Sequence, residues 1–277
     1  MISTPSNRLT EQALQAGLAS VDLIRELVVL ETTSSTNDHA RRLARRGAPH
    51  GCLVVAEAQS AGRGRMGRSW HSPPGHNLYF SLVLRPSWPR SQSAGLPLLM
   101  AVAVAQGLEQ LGAEPSIKWP NDVLLEGRKV AGVLSELISD QDQQWALILG
   151  VGINCNESAG SRPESLRSLA ISVAESVARP VERVALLGAV LRSLEPLLSG
   201  FEAAGLEAIL PAWRARWGQR GKQLRVLAGG DNEELLGVAL DVAADGALLL
   251  DVGATEPRRI MSGDVSLWAA PGEHPEI

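Results

Sequence analysis

Gly62-Arg63-Gly64-Arg65-Met66-Gly67 follows an apolar strand and satisfies the pattern G-x-G-x-x-G, yet the residues after it forbid the fold that this pattern usually marks. A dinucleotide-binding loop opens directly into a helix whose N-terminus holds the pyrophosphate. Here Ser69-Trp70-His71-Ser72-Pro73-Pro74-Gly75 follows, and such a run cannot be helical. No Gly-Lys-Ser/Thr is present either, which removes the phosphate-binding P-loop. Without a helix dipole, anion binding falls to Arg63, Arg65 and Arg68, whose guanidinium forks suit carboxylates and phosphates. The glycines let the backbone approach a ligand closely, and Trp70 offers a flat face.

The order of the strands excludes the doubly wound frame a second time. Residues 52–58 and 77–84 read as strands from their apolar and aromatic content. Around Lys118-Trp119-Pro120-Asn121-Asp122 the pattern is strand, tight turn, strand, because Pro120 cannot donate to a ladder. Glu126-Gly127-Arg128 turns the chain into a return strand at 129–137, and 144–154 supplies another. Consecutive hairpins build an antiparallel sheet rather than βαβ units. Helices are expected at 10–14, 21–27, 38–46, 94–111, 164–178, 182–204 and 206–216, with Pro196 kinking or dividing the sixth and Trp213 and Trp217 as anchors. Residues 28–30 read as a strand entering the core. Short strands at 222–228, 234–242, 247–252 and 258–268, separated by Gly, Asp and Asn turns, indicate a small β-barrel. The expected class is therefore α+β: a mixed, mainly antiparallel sheet flanked by helices over residues 1–219, a barrel over 220–270, and a tail at 271–277.

Composition narrows the function. A net charge of −4 argues against a protein that coats nucleic acid or membrane, so the basic loop is local to a site. Two cysteines without a CxxC suit buried thiols in a reducing cytoplasm. The N-terminus lacks a signal-peptide pattern, and the apolar stretch from Leu96 to Ala105 is too short to span a bilayer. His71 and His76 have no ligand-spaced partners for a tight metal site, and no G-x-S-x-G elbow marks a serine hydrolase.

Several residues then stand out by chemistry. Ser35-Thr36-Asn37 is an ordinary helix N-cap in its plain reading and a polar rim for a ureido or amide group in its functional one. Arg41, Arg42, Arg45 and Arg46 read as a solvated helix face. Lys118, Asp122 and Lys129 lie at strand ends in apolar surroundings, beside Gly132, Gly150 and Gly152, which weaken strands unless something approaches the backbone. Positioned cations of this kind suit transfer at phosphorus, where negative charge develops. The set alone does not identify the substrate.

The sequence resembles the bacterial biotin protein ligases of the short type, without a DNA-binding domain. The matching residues are Ser35-Thr36-Asn37, Gln59 with the loop from Gly62 to Trp70, Lys118-Trp119-Pro120-Asn121-Asp122, Lys129-Val130-Ala131-Gly132-Val133-Leu134 and Gly150-Val151-Gly152-Ile153-Asn154. The resemblance implies a catalytic domain like that of class II aminoacyl-tRNA synthetases and biotin synthetases, with an SH3-like barrel. It implies activation of biotin by ATP to biotinoyl-5′-AMP and transfer to a lysine of the biotin carboxyl carrier protein. It assigns catalysis to Lys129, Arg63, Arg65 and Asp122. Biotin would meet Ser35, Thr36, Asn37, Gln59, Arg63, Gly64, Arg65, Lys129, Gly132, Gly150 and Gly152. ATP would meet Arg65, Arg68, Trp70, Lys118, Asn121, Lys129 and Asn154, with Trp70 covering adenine and magnesium arriving with ATP. The expected protein is a cytoplasmic monomer or homodimer with no nucleic-acid or membrane partner; the short N-terminus leaves no room for a winged helix-turn-helix, which needs about 60 residues. A lipoate ligase would share the fold but carry Arg-Arg-x-Ser-Gly-Gly-Gly, absent here. A nucleic-acid-binding module would be basic with interleaved aromatics, whereas aromatics make up 4% of this acidic chain.

Overall fold

Side chains along a strand alternate between the two faces of its sheet, and here one face becomes core while the other becomes core at one end and site at the other. The computed structural model describes residues 7–139, 144–229 and 233–268. The expected tail at 271–277 and the last two residues of the expected barrel lie outside them. Helix α1 (Glu11–Gly17) starts where the Thr10 hydroxyl accepts from the Ala13 N–H, followed by β1 (Glu26–Thr33), α2 (Thr36–Arg45), β2 (Cys52–Gln59), β3 (Leu78–Leu84) and α3 (Leu96–Glu109). Then come β4 (Ser116–Lys118), β5 (Asp122–Leu125), β6 (Arg128–Ser139) and β7 (Trp145–Ile153). They form a seven-stranded sheet in the order β1-β2-β3-β7-β6-β5-β4, in which β1 and β2 are parallel and every other pair is antiparallel.

Odd-numbered residues of β7, Leu147, Leu149, Val151 and Ile153, pack into the main core with Leu53, Val55, Phe80 and Leu82. Helices α3 and α6 (Arg183–Ala204) cover that face. Both helices are long and apolar enough to cross a membrane by composition, but most of α3 and over half of α6 are buried in the protein. On the opposite face Ala146 and Ile148 meet Val54, Val83, Ile138 and the small residues Ala40 and Ala44 of α2. Further along the same face the apolar residues give way to Ser81 on β3, Gly150 and Gly152 on β7, and Glu136 and Gly132 on β6. That change makes the site. Both cysteines are buried, and burial pushes their thiols up to about 12, so they act as packing groups.

Several expected elements differ. Residues 21–25 turn rather than form a helix, because β1 begins at Glu26 to pair with Cys52. The expected helix at 164–178 is two single turns, α4 (Glu164–Arg167) and α5 (Val173–Ser176); between them residues 169–171 pair with Lys129. The helix at 206–216 reduces to a 3-10 turn and α7 (Leu210–Arg214). Pro196 lies inside α6 without dividing it. Trp213 is fully buried and stacks near Trp217, which lies just beyond α7.

Strands β8 (Gln223–Ala228), β9 (Glu233–Val242), β10 (Leu248–Asp251), β11 (Arg258–Ile260) and β12 (Gly263–Leu267) form a second, antiparallel sheet in the order β11-β10-β9-β8-β12. The single strand expected at 258–268 is thus two, which pair with different partners. Among the described residues β11 and β12 do not pair with each other, so the ladder is not closed by hydrogen bonds. Trp119 joins the two sheets. It is 1% exposed, its N–H is accepted by Gln219 at 2.9 Å, and its indole donates to the Gly246 carbonyl at 3.0 Å.

Candidate active site

The Gly-Arg stretch folds back on itself as a small hairpin over the polar end of the sheet. Gly64 N–H donates to Arg68, Trp70 N–H donates to Gly62 at 2.8 Å, and Arg63 bridges Ser69. Its tip turns through left-handed backbone at Met66 (φ 55°) and Gly67 (φ 73°), so the last glycine is required by conformation. Below it, a β-bulge in the β5–β6 ladder leaves Val130 as an extra residue. Lys129 and Gly132, three apart, consequently share the cavity face: the Lys129 amine lies 3.2 Å from where a Cβ on Gly132 would be.

Apart from Asn154, the sequence-predicted site residues border one cavity between the loop, α2, β5–β7 and the β12 end of the second sheet. Lys118 and Asp122 face each other as a register pair of β4 and β5. Lys129 Nζ is 2.7 Å from Asp122 Oδ1. That oxygen otherwise lacks a well-aligned hydrogen bond, so the contact is an ion pair. At the other end Ser35 takes the N-cap position of α2, yet its side chain caps nothing, which leaves the hydroxyl to the cavity. Thr36 N–H donates to Gln59 Oε1 at 2.8 Å.

Four expected contacts are engaged within the protein. Asn154 is buried and donates to the carbonyls of Lys129 and Ile171, so it fixes the strand that carries Lys129. Asn121 donates to the Val133 carbonyl at 2.8 Å and accepts from Arg65 at 2.9 Å. Asn37 is held at both ends, by Ser81 through its oxygen and by Glu136 and the Leu134 carbonyl through its nitrogen. Gly150 makes room for it, since a Cβ there would lie 1.9 Å from Asn37 Oδ1. Trp70 seats its indole in the notch of Gly132 and Gly152, with Lys129 Nζ 5.3 Å from the ring centre, on the sheet side rather than on an open shelf.

The loop arginines have protein partners. Arg63 pairs with Asp38 at 2.9 Å and with Glu136 at 2.7 Å, and Arg68 pairs with Asp264 of β12. Arg41 joins Asp38 and Glu136, so it is not part of the solvated face expected for its helix. The buried Arg63 Nε and Trp70 Nε1 have no hydrogen-bond partner among the described residues. Glu136, Ser81 and Asp264 are not marked out in the sequence reading, and Trp119 stands in it only as a member of its motif. Glu136 could be marked out, as a carboxylate four residues from Gly132 on one face of an otherwise apolar strand.

A hydroxyl-lined pocket, a paired lysine and a basic hairpin on this mixed sheet suit an enzyme that works on anionic groups, and the comparisons with known proteins give its class as a protein ligase. Residues 29–154 match the Biotin/lipoate A/B protein ligase family, and residues 221–268 match the Biotin protein ligase C terminal domain. The chain is 35% identical over 261 residues to "Bifunctional ligase/repressor BirA" of Bacillus subtilis (strain 168), covering 94% of this chain and 79% of that one. It is 34% identical over 238 residues to "Biotin--[acetyl-CoA-carboxylase] ligase" of Mycobacterium tuberculosis (strain ATCC 25618 / H37Rv), covering 83% and 84%. Among solved structures, biotin protein ligase from Aquifex aeolicus in complex with biotin and ATP superposes with a TM-score of 0.76 at 29% identity, covering 89% of this chain and 100% of that one. The chain belongs to the biotin protein ligase family.

Proposed function

We infer that this protein joins biotin to a lysine of the biotin carboxyl carrier protein in two steps. First, a carboxylate oxygen of biotin attacks the α-phosphorus of ATP, pyrophosphate leaves, and biotinoyl-5′-AMP forms. Then the lysine amine attacks the acyl carbon, AMP leaves, and the amine gives up a proton. The observation that carries this reading is the position of Lys129: one ammonium, held by Asp122 at 2.7 Å, lies between the hydroxyl pocket and the basic hairpin. Carboxylate and polyphosphate repel each other, and a cation fixed between them offsets that repulsion as charge develops.

Ser35, Thr36 and Gln59 would hold the ureido ring, with Asn37 behind them as a brace. Arg63 and Arg65 would gather the carboxylate and the α-phosphate. Lys118 and Arg68 would meet the outer phosphates, Arg68 by exchanging Asp264 for them. The seat of Trp70 beside Lys129 moves it, in this reading, from adenine to the acyl chain. Asp122 would orient the incoming lysine by charge and take its proton. ATP would arrive as its magnesium complex, the ion held largely by the phosphates and water. The two buried thiols suit a reducing cytoplasm.

The test is incubation with labelled biotin, ATP, magnesium and a biotin-carrier domain, with lipoate and octanoate alongside. Label should enter the carrier with biotin alone. Labelling by lipoate or octanoate in place of biotin would overturn the reading.

A further inference from the structure

The residues that would hold the two ends of biotin are joined by one hydrogen-bonded circuit, and Glu136 is the group that closes it. The Glu136 carboxylate accepts from Arg63 of the hairpin at 2.7 Å and from Asn37 of α2 at 2.8 Å. Asn37 is 3% exposed, and its oxygen lies 2.7 Å from the Ser81 hydroxyl. Ser81 lies 2.8 Å from the Thr36 hydroxyl, and Thr36 N–H donates to Gln59. Gln59 donates to Ser72 at 2.9 Å, and Ser72 donates to the Trp70 carbonyl at 3.0 Å. The path leaves the hairpin at Arg63, crosses β6, α2, β3 and β2, and returns to the same segment at Trp70.

A half-buried hydrogen-bonded network of this kind holds its parts in one arrangement. Glu136 does not line the cavity, so its effect on a ligand must pass through Arg63 and Asn37. Burial opposes its charge, but the hydrogen bonds from Asn37 and Arg63 and the charges of Arg63 and Arg41 hold its carboxyl below the ordinary value. It is therefore an anion at neutral pH.

We propose that Glu136 is a positioning residue: it fixes Arg63 over the cavity and, through Asn37, ties that arginine to the hydroxyl pocket. This rests on the biotin ligase reading above. Glu136→Gln keeps an acceptor for Asn37 but removes the nearer of the two carboxylate charges that hold Arg63, leaving Asp38 at 2.9 Å.

The experiment measures pyrophosphate release at varied biotin and ATP for the wild type, Glu136→Gln, Arg63→Ala and the double variant. Glu136→Gln should raise KM for biotin about tenfold, the size of one weakened charge-assisted hydrogen bond, with KM for ATP within about twofold. In the Arg63→Ala background the same substitution should add less than about twofold, because its route to biotin is already cut. Full additivity, or an unchanged biotin KM in folded Glu136→Gln, would overturn the proposal. Should Glu136→Gln fail to fold, Ser81→Ala opens the circuit on its far side and is read by the same cycle with Arg63→Ala. Absence of biotin-dependent pyrophosphate release in the wild type would instead remove the ligase reading itself.

Discussion

Lys129 and Asp122 form an ion pair across β5 and β6, with Nζ 2.7 Å from Oδ1. The bulge at Val130 turns Lys129 toward Gly132, and the Lys129 ammonium lies 5.3 Å from the centre of the Trp70 ring. In the proposed reaction the pair would set where a carboxylate and a phosphate are neutralised together.

Lys129→Ala should stop the first step. Loss of one preorganised donor at developing negative charge costs about 100- to 1000-fold in rate, and pyrophosphate release with biotin and ATP should fall by that factor. Near-normal adenylation in the variant would refute the assignment.

Asp122→Asn should act mainly on the second step. The amide keeps the shape but loses the charge that, in the proposed reaction, would orient and deprotonate a lysine, and base catalysis of this kind contributes about 100-fold or more. Adenylation should fall less than about tenfold, through loosening of Lys129. Single-turnover transfer from preformed biotinoyl-AMP checks the larger effect, and transfer at the wild-type rate removes the role.

The glycines of β7 give a steric prediction. Neither Gly150 nor Gly152 has a positive φ, so an added methyl acts through space alone. On Gly150 it would lie 1.9 Å from Asn37 Oδ1, and on Gly152 2.5 Å from the Trp70 indole. Forced repacking of this type costs about 1–3 kcal/mol. Gly150→Ala should lower stability in denaturant melts and weaken biotin binding by calorimetry. Gly152→Ala should displace Trp70, visible as a shift in its fluorescence, and wild-type emission would count against the packing described.

The outline of the fold was legible because hairpin turns such as Glu126-Gly127 announce antiparallel strands, and Ser69 to Gly75 exclude a helix. The cavity members were legible wherever a residue type is costly without a ligand, as with Lys129 in apolar surroundings or Gly152 inside a strand. What was not legible depends on distant partners. Asn154 looks like a site residue in its motif, yet only the folded loop at 169–171 shows that it braces Lys129. Asp264 lies 196 residues from Arg68, and nothing local in its strand marks it as a partner of the hairpin. The short helices after Pro163 were misjudged because their apolar residues satisfy a helical period while residues 169–171 pair with β6.

That distant pair supports the last prediction, which concerns pH. Arg68 and Asp264 link the hairpin to the second sheet. Partial burial pushes the Asp264 carboxyl up, but the hydrogen bond and charge of Arg68, with Lys118 and Arg65 behind it, outweigh burial and hold it below its ordinary value of 3.8. A carboxyl depressed in the folded state adds stability that is fully present above its unfolded value and is lost as pH falls through the folded one. The pair is well exposed, at 63% and 37%, so solvent screening keeps its contribution under about 1 kcal/mol. Asp264→Asn should therefore melt slightly below the wild type from pH 5 to 7, and the gap should close as pH falls below about 4. Melting curves of both proteins by circular dichroism, taken side by side at each pH, cancel the acid titration of every other group. A gap that persists unchanged to pH 3 would show that the charge of Asp264 is not what holds the hairpin to the second sheet.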